Sequence, residues 1–535
     1  MPTLYNGISL PDAWPPQYAQ HSMVTPQPVP YLQAVPRHIP VNLGRQLFVD
    51  DFLIEETTLR RVFHQPTLMQ DGPVFAPTTP LECNGGYAPL ACPFNDGIVF
   101  DSDDGYFKMW YHAGWFDGTA YARSRDGLTW ERLSDMDPAS DGRVIPFQPG
   151  LQRDGGSAWI DYEAKKPAER YKMFVYYREY AEKDQYSYAM KTRTLTGAYG
   201  MLYASGDGIH WRAMNQTGHC GDNTDFFYNP FRKKWVFSIR KNTPVDPRVR
   251  ARYYYECDDF FEGARWADDD PVFWDRCSMQ DAADPALCHP PQLYNLDAVA
   301  YESLMLGAYH IFLGPPNEIC EQIHRPKIMD IKLAFSRDGF HFDRANNEPA
   351  LRSSRIDGRW DYGYLHTHAG IVNVVGDTLY FFFSAWSGHS PRMGMDMYAG
   401  GSVGLATMRR DGFAAMQADA QGGTLTTRPL VTEHPYLFIN ADAAGGSVTV
   451  EVLDEAGDPI APCARSLPVT GDTCKARVRW PEAADIRPLL NRPIRLRFHV
   501  QDAALYAFWF SPSERGESLG YMGAGGPGFA RGRDV

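Results

Sequence analysis

Five groups of polar residues recur just ahead of aromatic, β-branched runs. They are Asn95 with Asp96, Arg153 with Asp154, Asp222 with Asp225, Asn295 with Asp297, and His366 with His368. Four of the five carry carboxylates and the fifth carries two histidines. Carboxylates crowded onto one axis repel, so at least one keeps its proton near neutral pH, as a general acid must. A second carboxylate beside it completes the pair used in glycosidic-bond hydrolysis. One acid protonates the leaving oxygen; the other attacks as nucleophile or activates water. That chemistry needs the five groups to converge, which a repeated element would achieve.

The repeated element is a β-hairpin. Residues 222–240 open with two acids, run through Phe226, Phe227 and Tyr228, turn at 229–234, and return through Trp235 to Ile239. Equivalent hairpins are read at 97–111, 157–177, 297–313 and 369–384. A turn signature follows several of them: Ser124, Asp126, Gly127 and Trp130; Ser205, Asp207, Gly208 and Trp211; Ser336, Asp338, Gly339 and Phe342. Arg410, Asp411, Gly412 and Phe413 form a fainter copy, and residues 257–261 stand where another is due. Asp-Gly is hairpin-turn chemistry because glycine accepts positive φ, so this motif reports fold and not catalysis. Units at blade spacing predict an all-β chain: a five-bladed β-propeller followed by a C-terminal β-sandwich. The strand starts of a propeller face one another across a funnel, which would bring the five polar groups together.

The expected domains are an extended arm over 1–40, the propeller over 41–420, the sandwich over 424–515 and a loosely ordered Gly-rich tail over 516–535. The strand at 46–54 precedes every hairpin and is expected to close the ring.

Composition narrows the partners. A net charge of −13 argues against nucleic acid, whose phosphates need clustered Lys and Arg. Aromatic residues make up 14% of the chain, which suits β structure and sugar-stacking surfaces alike. The 9 cysteines lack metal-type CxxC spacing and read as buried thiols, with Cys463 and Cys474 the pair placed to bridge. No apolar run approaches the roughly 20 residues of a membrane helix. The N-terminus has no basic or apolar leader pattern, so the sequence as given reads as cytoplasmic, or as secreted or periplasmic if a leader was removed. A carbohydrate is the expected partner, with no nucleic acid and no membrane.

The motifs resemble those of the family 32 glycoside hydrolases and the wider five-bladed furanosidase superfamily, which includes invertases and levanases. Asn95, Asp96 and Gly97 look like a shortened form of that family's first-blade Asn-Asp-Pro-Asn-Gly, whose Asp is the nucleophile. Arg153, Asp154 and Gly155 resemble its Arg-Asp-Pro, whose Asp stabilises the transition state. Residues 222–227 align with its Glu-Cys-Pro-Asp motif, putting Asp222 in the acid position with Asp225 as its rival. The resemblance implies an exo-acting glycosidase on a furanoside or related sugar, with Asp96, Asp154, Asp222 and Asp225 as catalytic candidates. Two departures, the missing Pro-Asn and Asp in place of Glu, mark a divergent member whose substrate does not transfer.

Around these acids, Asp297, His366, His368, Trp115, Arg178, Arg240, Glu318 and Trp386 are expected to bind substrate. The tryptophans would stack on sugar faces and the arginines would suit an acidic sugar. His366 and His368 alternate in a strand, so both rings are expected on one face. No cofactor is required, although the histidines leave room for a structural cation on the axis. A polysaccharide lyase using histidine and a metal, and a noncatalytic sugar-binding propeller, are the competing readings.

Overall fold

The computed structural model describes residues 2–18, 25–115, 118–181, 194–244 and 248–535. Phe116 and Asp117, read with Trp115 as one funnel loop, lie outside them. Among the described residues, five antiparallel sheets form the blades of a propeller. The first contains Ala91–Asp101, Tyr106–Ala113 and Thr119–Ser124, with Trp130–Arg132 and Arg143–Ile145 both pairing the third strand. The second is Leu151–Ile160, Tyr171–Tyr180, Leu195–Ser205 and Trp211–Gln216; the third is Asp225–Asn229, Lys234–Asn242, Arg250–Cys257 and Val272–Asp275. Blade four holds Gln292–Glu302, Leu304–Gly314 and Ile328–Ser336. Blade five holds Gly363–His366 with Asn373–Val375, then Thr378–Trp386 and Gly401–Arg409. Innermost strands are buried along nearly their whole length, as in Ala91–Asp101.

The strand that closes the ring is Thr67–Leu68, paired to Ala406 and Thr407 at the outer edge of blade five. This corrects the expectation for 46–54. Gln46–Leu47 instead pairs Ala503–Ser511 in the second domain, where Phe48 and Phe52 enter the core. The reason is hydrophobicity: an outermost blade strand is exposed, as both Thr67 and Leu68 are, and a run as apolar as 47–53 is more stable in a core.

The turn signature staples neighbouring blades. Ser205 Oγ accepts from Gly208 N, while Asp207 Oδ1 accepts from the amides of Ile209 and His210. Gly208 has φ +81°, and a Cβ there would lie 2.9 Å from Trp110 of blade one. Trp110 and Trp211 both donate their indole N–H to the Gly208 carbonyl. The same device holds blade one to blade five and blade four to blade three, through Gly127 and Gly339.

The second domain is a nine-stranded, sandwich-like sheet built around the long strand Tyr436–Leu453. It recruits Ile54–Thr57, Arg60–Phe63 and Ala414–Ala418 from segments assigned to the propeller by sequence. Arg45 fastens the two domains. Its guanidinium donates to Asp411 Oδ2 at 2.8 Å, lies 3.3 Å from Glu302 Oε1 and stacks over Trp509. The C-terminal tail is ordered, against expectation. Tyr521–Met522 adds to the innermost strand of blade four, and Ala524 and Gly525 bond to Phe100, Val372 and Val374. All 9 cysteines are free thiols.

Candidate active site

The strand starts converge at one end of the ring, in two layers. The outer layer is built around Arg178, in the second strand of blade two, opposite Gln152. One guanidinium nitrogen donates to Asp154 Oδ2 and the other to Asp222 Oδ2, the latter at 2.8 Å. Arg240 Nε lies 3.4 Å from the second oxygen of Asp222. The Asp222 side chain keeps 29% exposure, against 8% for Asp154. Burial alone would raise the Asp222 carboxyl, but Arg240, Arg178, Arg250 and Lys327 together hold it below the usual carboxylate range. It is therefore ionised at neutral pH. That is the state of a base or nucleophile, and the opposite of the proton-donor role inferred from its position in the motif.

The wall of this layer comes from residues outside the sequence-derived set. Tyr294 and Tyr364, on the inner strands of blades four and five, place their hydroxyls 3.1 Å apart. Lys327 Nζ donates to Tyr294 at 3.0 Å and to Tyr364 at 3.4 Å. Arg250 stacks over Tyr294 and donates to Gln292. Burial raises the Tyr294 hydroxyl, yet Lys327 and Arg250 outweigh it and bring it below its ordinary value. Trp115 lies flat against Tyr398 at 4.1 Å and supports that ring from behind.

Beneath lies a buried network. Asn295 Nδ2 donates to Asp225 Oδ2 at 2.7 Å and to Asp297 Oδ1 at 2.8 Å. Burial and the charge of Asp297 push Asp225 well above the carboxylate range, and burial raises Asp297 too, so the two titrate as a pair that shares a proton. Thr367 Oγ1 donates to Asp297 Oδ2 at 2.6 Å, and His310 Nε2 lies 2.6 Å from Thr367 Oγ1. With the Thr367 proton committed to Asp297, His310 Nε2 is the donor to Thr367. His310 Nδ1 then accepts from His366 Nδ1 at 3.3 Å, which leaves His366 Nε2 a bare acceptor. Burial drives His310 down to about 3 and His368 to about 4, and puts His112 and His366 well below 6.5, so all four are neutral.

Asp222 and Asp225 reach different layers because the chain turns between them: Asn223 has φ +56°, and the regular strand begins only at Asp225. Asp96 belongs to neither layer's opening. It is 0% exposed and held in a two-pronged ion pair by Arg153 at 2.6 and 2.9 Å. Its carboxylate faces that guanidinium and is closed to the mouth. Trp386 is also fully buried, behind Tyr364 and His366, and cannot act as a stacking platform. His366 and His368 part company because the strand ends at His366; the His368 ring instead accepts from Ile98 N. Glu318 is exposed on the short helix Asn317–Ile323, whose half-buried Glu321 acts on Tyr398.

His310 and His366 turn ring nitrogens toward each other, the second nitrogen of His310 is taken by Thr367, and no group of three or more ligating side chains converges among the described residues. A separate cavity of about 300 Å³ opens at the far ends of the inner strands, lined by Trp159, Tyr162, Tyr228 and Tyr521. It holds none of the strand-start acids.

No family model matches the sequence, and no curated protein does. Among solved structures, an N-acetylgalactosamine deacetylase from F. plautii in complex with blood group B trisaccharide is similar over 66% of this chain and 96% of its own, at 14% identity and TM-score 0.43. The Bombyx mori GH32 β-fructofuranosidase matches 82% of this chain and 94% of its own, at 11% identity and TM-score 0.34. A fructofuranosidase from Schwanniomyces occidentalis complexed with fructosylnystose matches 84% and 98%, at 9% identity and TM-score 0.37. The neighbours thus include the family whose motifs this chain resembles. At such low similarity they assign no role, and the site stands on its own geometry.

Proposed function

We propose that the protein is a carbohydrate-active hydrolase that cleaves a glycosidic bond at the funnel mouth. The observation that carries this is the Asp154–Arg178–Asp222 bridge, two carboxylates spanned by one guanidinium at the open end of a propeller axis. Asp222, ionised and the more exposed, serves as nucleophile or as base toward water. Asp154, ion-paired to Arg178, stabilises positive charge developing on the sugar, and the leaving oxygen takes its proton from the Tyr294 hydroxyl, which Lys327 and Arg250 bring below its ordinary value. Asp225 and Asp297, tied to each other through Asn295, act by fixing the strand starts. The test is a glycan-library screen with product analysis, followed by Asp222→Asn on the best substrate. Loss of turnover with folding intact supports the reading; wild-type turnover removes Asp222 from the mechanism.

β-Elimination on a uronate is the second reading, favoured by the bare Nε2 of His366 and the lowered Tyr294 hydroxyl. A new C=C absorbance in the product separates the two.

A further inference from the structure

Among the described residues the charges of the outer layer do not balance. Asp154 and Asp222 are matched by Arg178 and Arg240. Arg250 and Lys327 remain, and among the described residues neither forms an ion pair with a carboxylate; Arg250 has Gln292, and Lys327 has two tyrosine hydroxyls. Lys327 is only 2% exposed. Burying an ammonium against neutral partners is unfavourable unless a counter-ion completes the site. Glu321, on the helix that precedes Lys327, acts on Tyr398 and Cys320.

We infer that the mouth takes a sugar carrying a covalently attached anionic group, a carboxylate or a sulfate or phosphate ester, seated between Arg250 and Lys327. Arg250 offers a planar fork on an aromatic face and Lys327 a point charge, a combination suited to an oxyanion. Tyr294 and Tyr364 would bond the same group or the adjoining sugar hydroxyl. The inference rests on the hydrolase reading only for calling the ligand a sugar; the oxyanion seat stands on the charges alone.

Calorimetric titration of the intact protein tests it without requiring catalysis. The probes are glucose against glucuronate, galactose against galacturonate, glucose 6-sulfate and glucose 6-phosphate, and inorganic sulfate and phosphate. At least one anionic sugar should bind ten-fold or more tightly than its neutral counterpart, with affinity falling as salt rises. Arg250→Gln and Lys327→Met should each remove most of that preference, Arg250→Gln serving if the buried Lys327 variant fails to fold. Equal binding of charged and neutral sugars, or no binding of any charged sugar at tens of millimolar, overturns the inference. Tighter binding of free phosphate or sulfate than of every sugar ester overturns the covalent attachment. Charge-selective binding with no cleavage of any glycan would leave this inference standing and remove the hydrolase reading instead.

Discussion

Arg178 Nη2 lies 2.8 Å from Asp222 Oδ2, and this contact joins the larger pull of Arg240 in holding the most exposed strand-start carboxylate ionised. Arg178 is a positioning residue, because its second nitrogen sets Asp154 at the same time. Arg178→Lys keeps the charge but loses the fork, so it can satisfy only one carboxylate well. Turnover should fall about 100-fold, mostly in kcat, as expected for a small misplacement of reacting groups. A change confined to KM would show that Arg178 only binds substrate.

Asp225 and Asp297 should respond differently to amidation. Asn at 225 can still donate to Asp297 as the protonated acid does, so Asp225→Asn should fold with near wild-type stability. The sign of its pH effect follows from the raised value. A carboxyl raised in the fold contributes stability that is lost as pH climbs from about 4 through the folded value, so the variant should lack that loss. Asp297→Asn faces Thr367 and Asn295 donors with a weaker acceptor, and should cost roughly 1–3 kcal/mol. Urea titrations at pH 5 and pH 7 measure both; equal destabilisation by the two changes would contradict the shared proton.

His368 gives the opposite pH dependence. Its folded value of about 4 lies below the ordinary 6.5, so stability from this group is complete above pH 6.5 and is lost as pH falls toward 4. The stability difference between wild type and His368→Gln should shrink by about 1.4 kcal/mol per pH unit across that window. A difference independent of pH would mean the imidazole is not neutral in the fold.

Arg45 should behave as the fastening between domains. It is 1% exposed, and its loss removes the ion pair of the buried Asp411 and leaves the buried Glu302 paired with Arg410 alone. Arg45→Met should destabilise the protein by about 3–5 kcal/mol. Calorimetry with fluorescence would register this; an unchanged unfolding midpoint would place the strength of the interface elsewhere.

The five strand starts were legible because each couples a polar pair to an apolar inner strand, and the Ser-x-Asp-Gly turn repeats with the blades. The closing strand Thr67–Leu68 was not, because two exposed residues at a blade edge carry no periodicity. Asp154, Arg178, Asp222 and Arg240 do share one cluster. Arg250 and Lys327 escaped notice because Arg250 opens the third strand of blade three and Lys327 directly precedes that of blade four, away from the hairpins, so they meet the mouth only through ring closure. Tyr294 was findable: it directly precedes Asn295 in a strand already singled out. The enclosure of Asp96 was hidden because sequence does not show which way Arg153 turns. The split between Asp222 and Asp225 depends on one left-handed residue, Asn223, that nothing in a strand pattern announces.

The most direct test compares Asp222→Asn with Asp225→Asn on the best substrate from a glycan screen, with folding checked by circular dichroism. The account predicts a loss of at least about 1000-fold in kcat for Asp222→Asn and a loss of less than about ten-fold for Asp225→Asn. The reverse order, with Asp222→Asn active and Asp225→Asn dead, would contradict it.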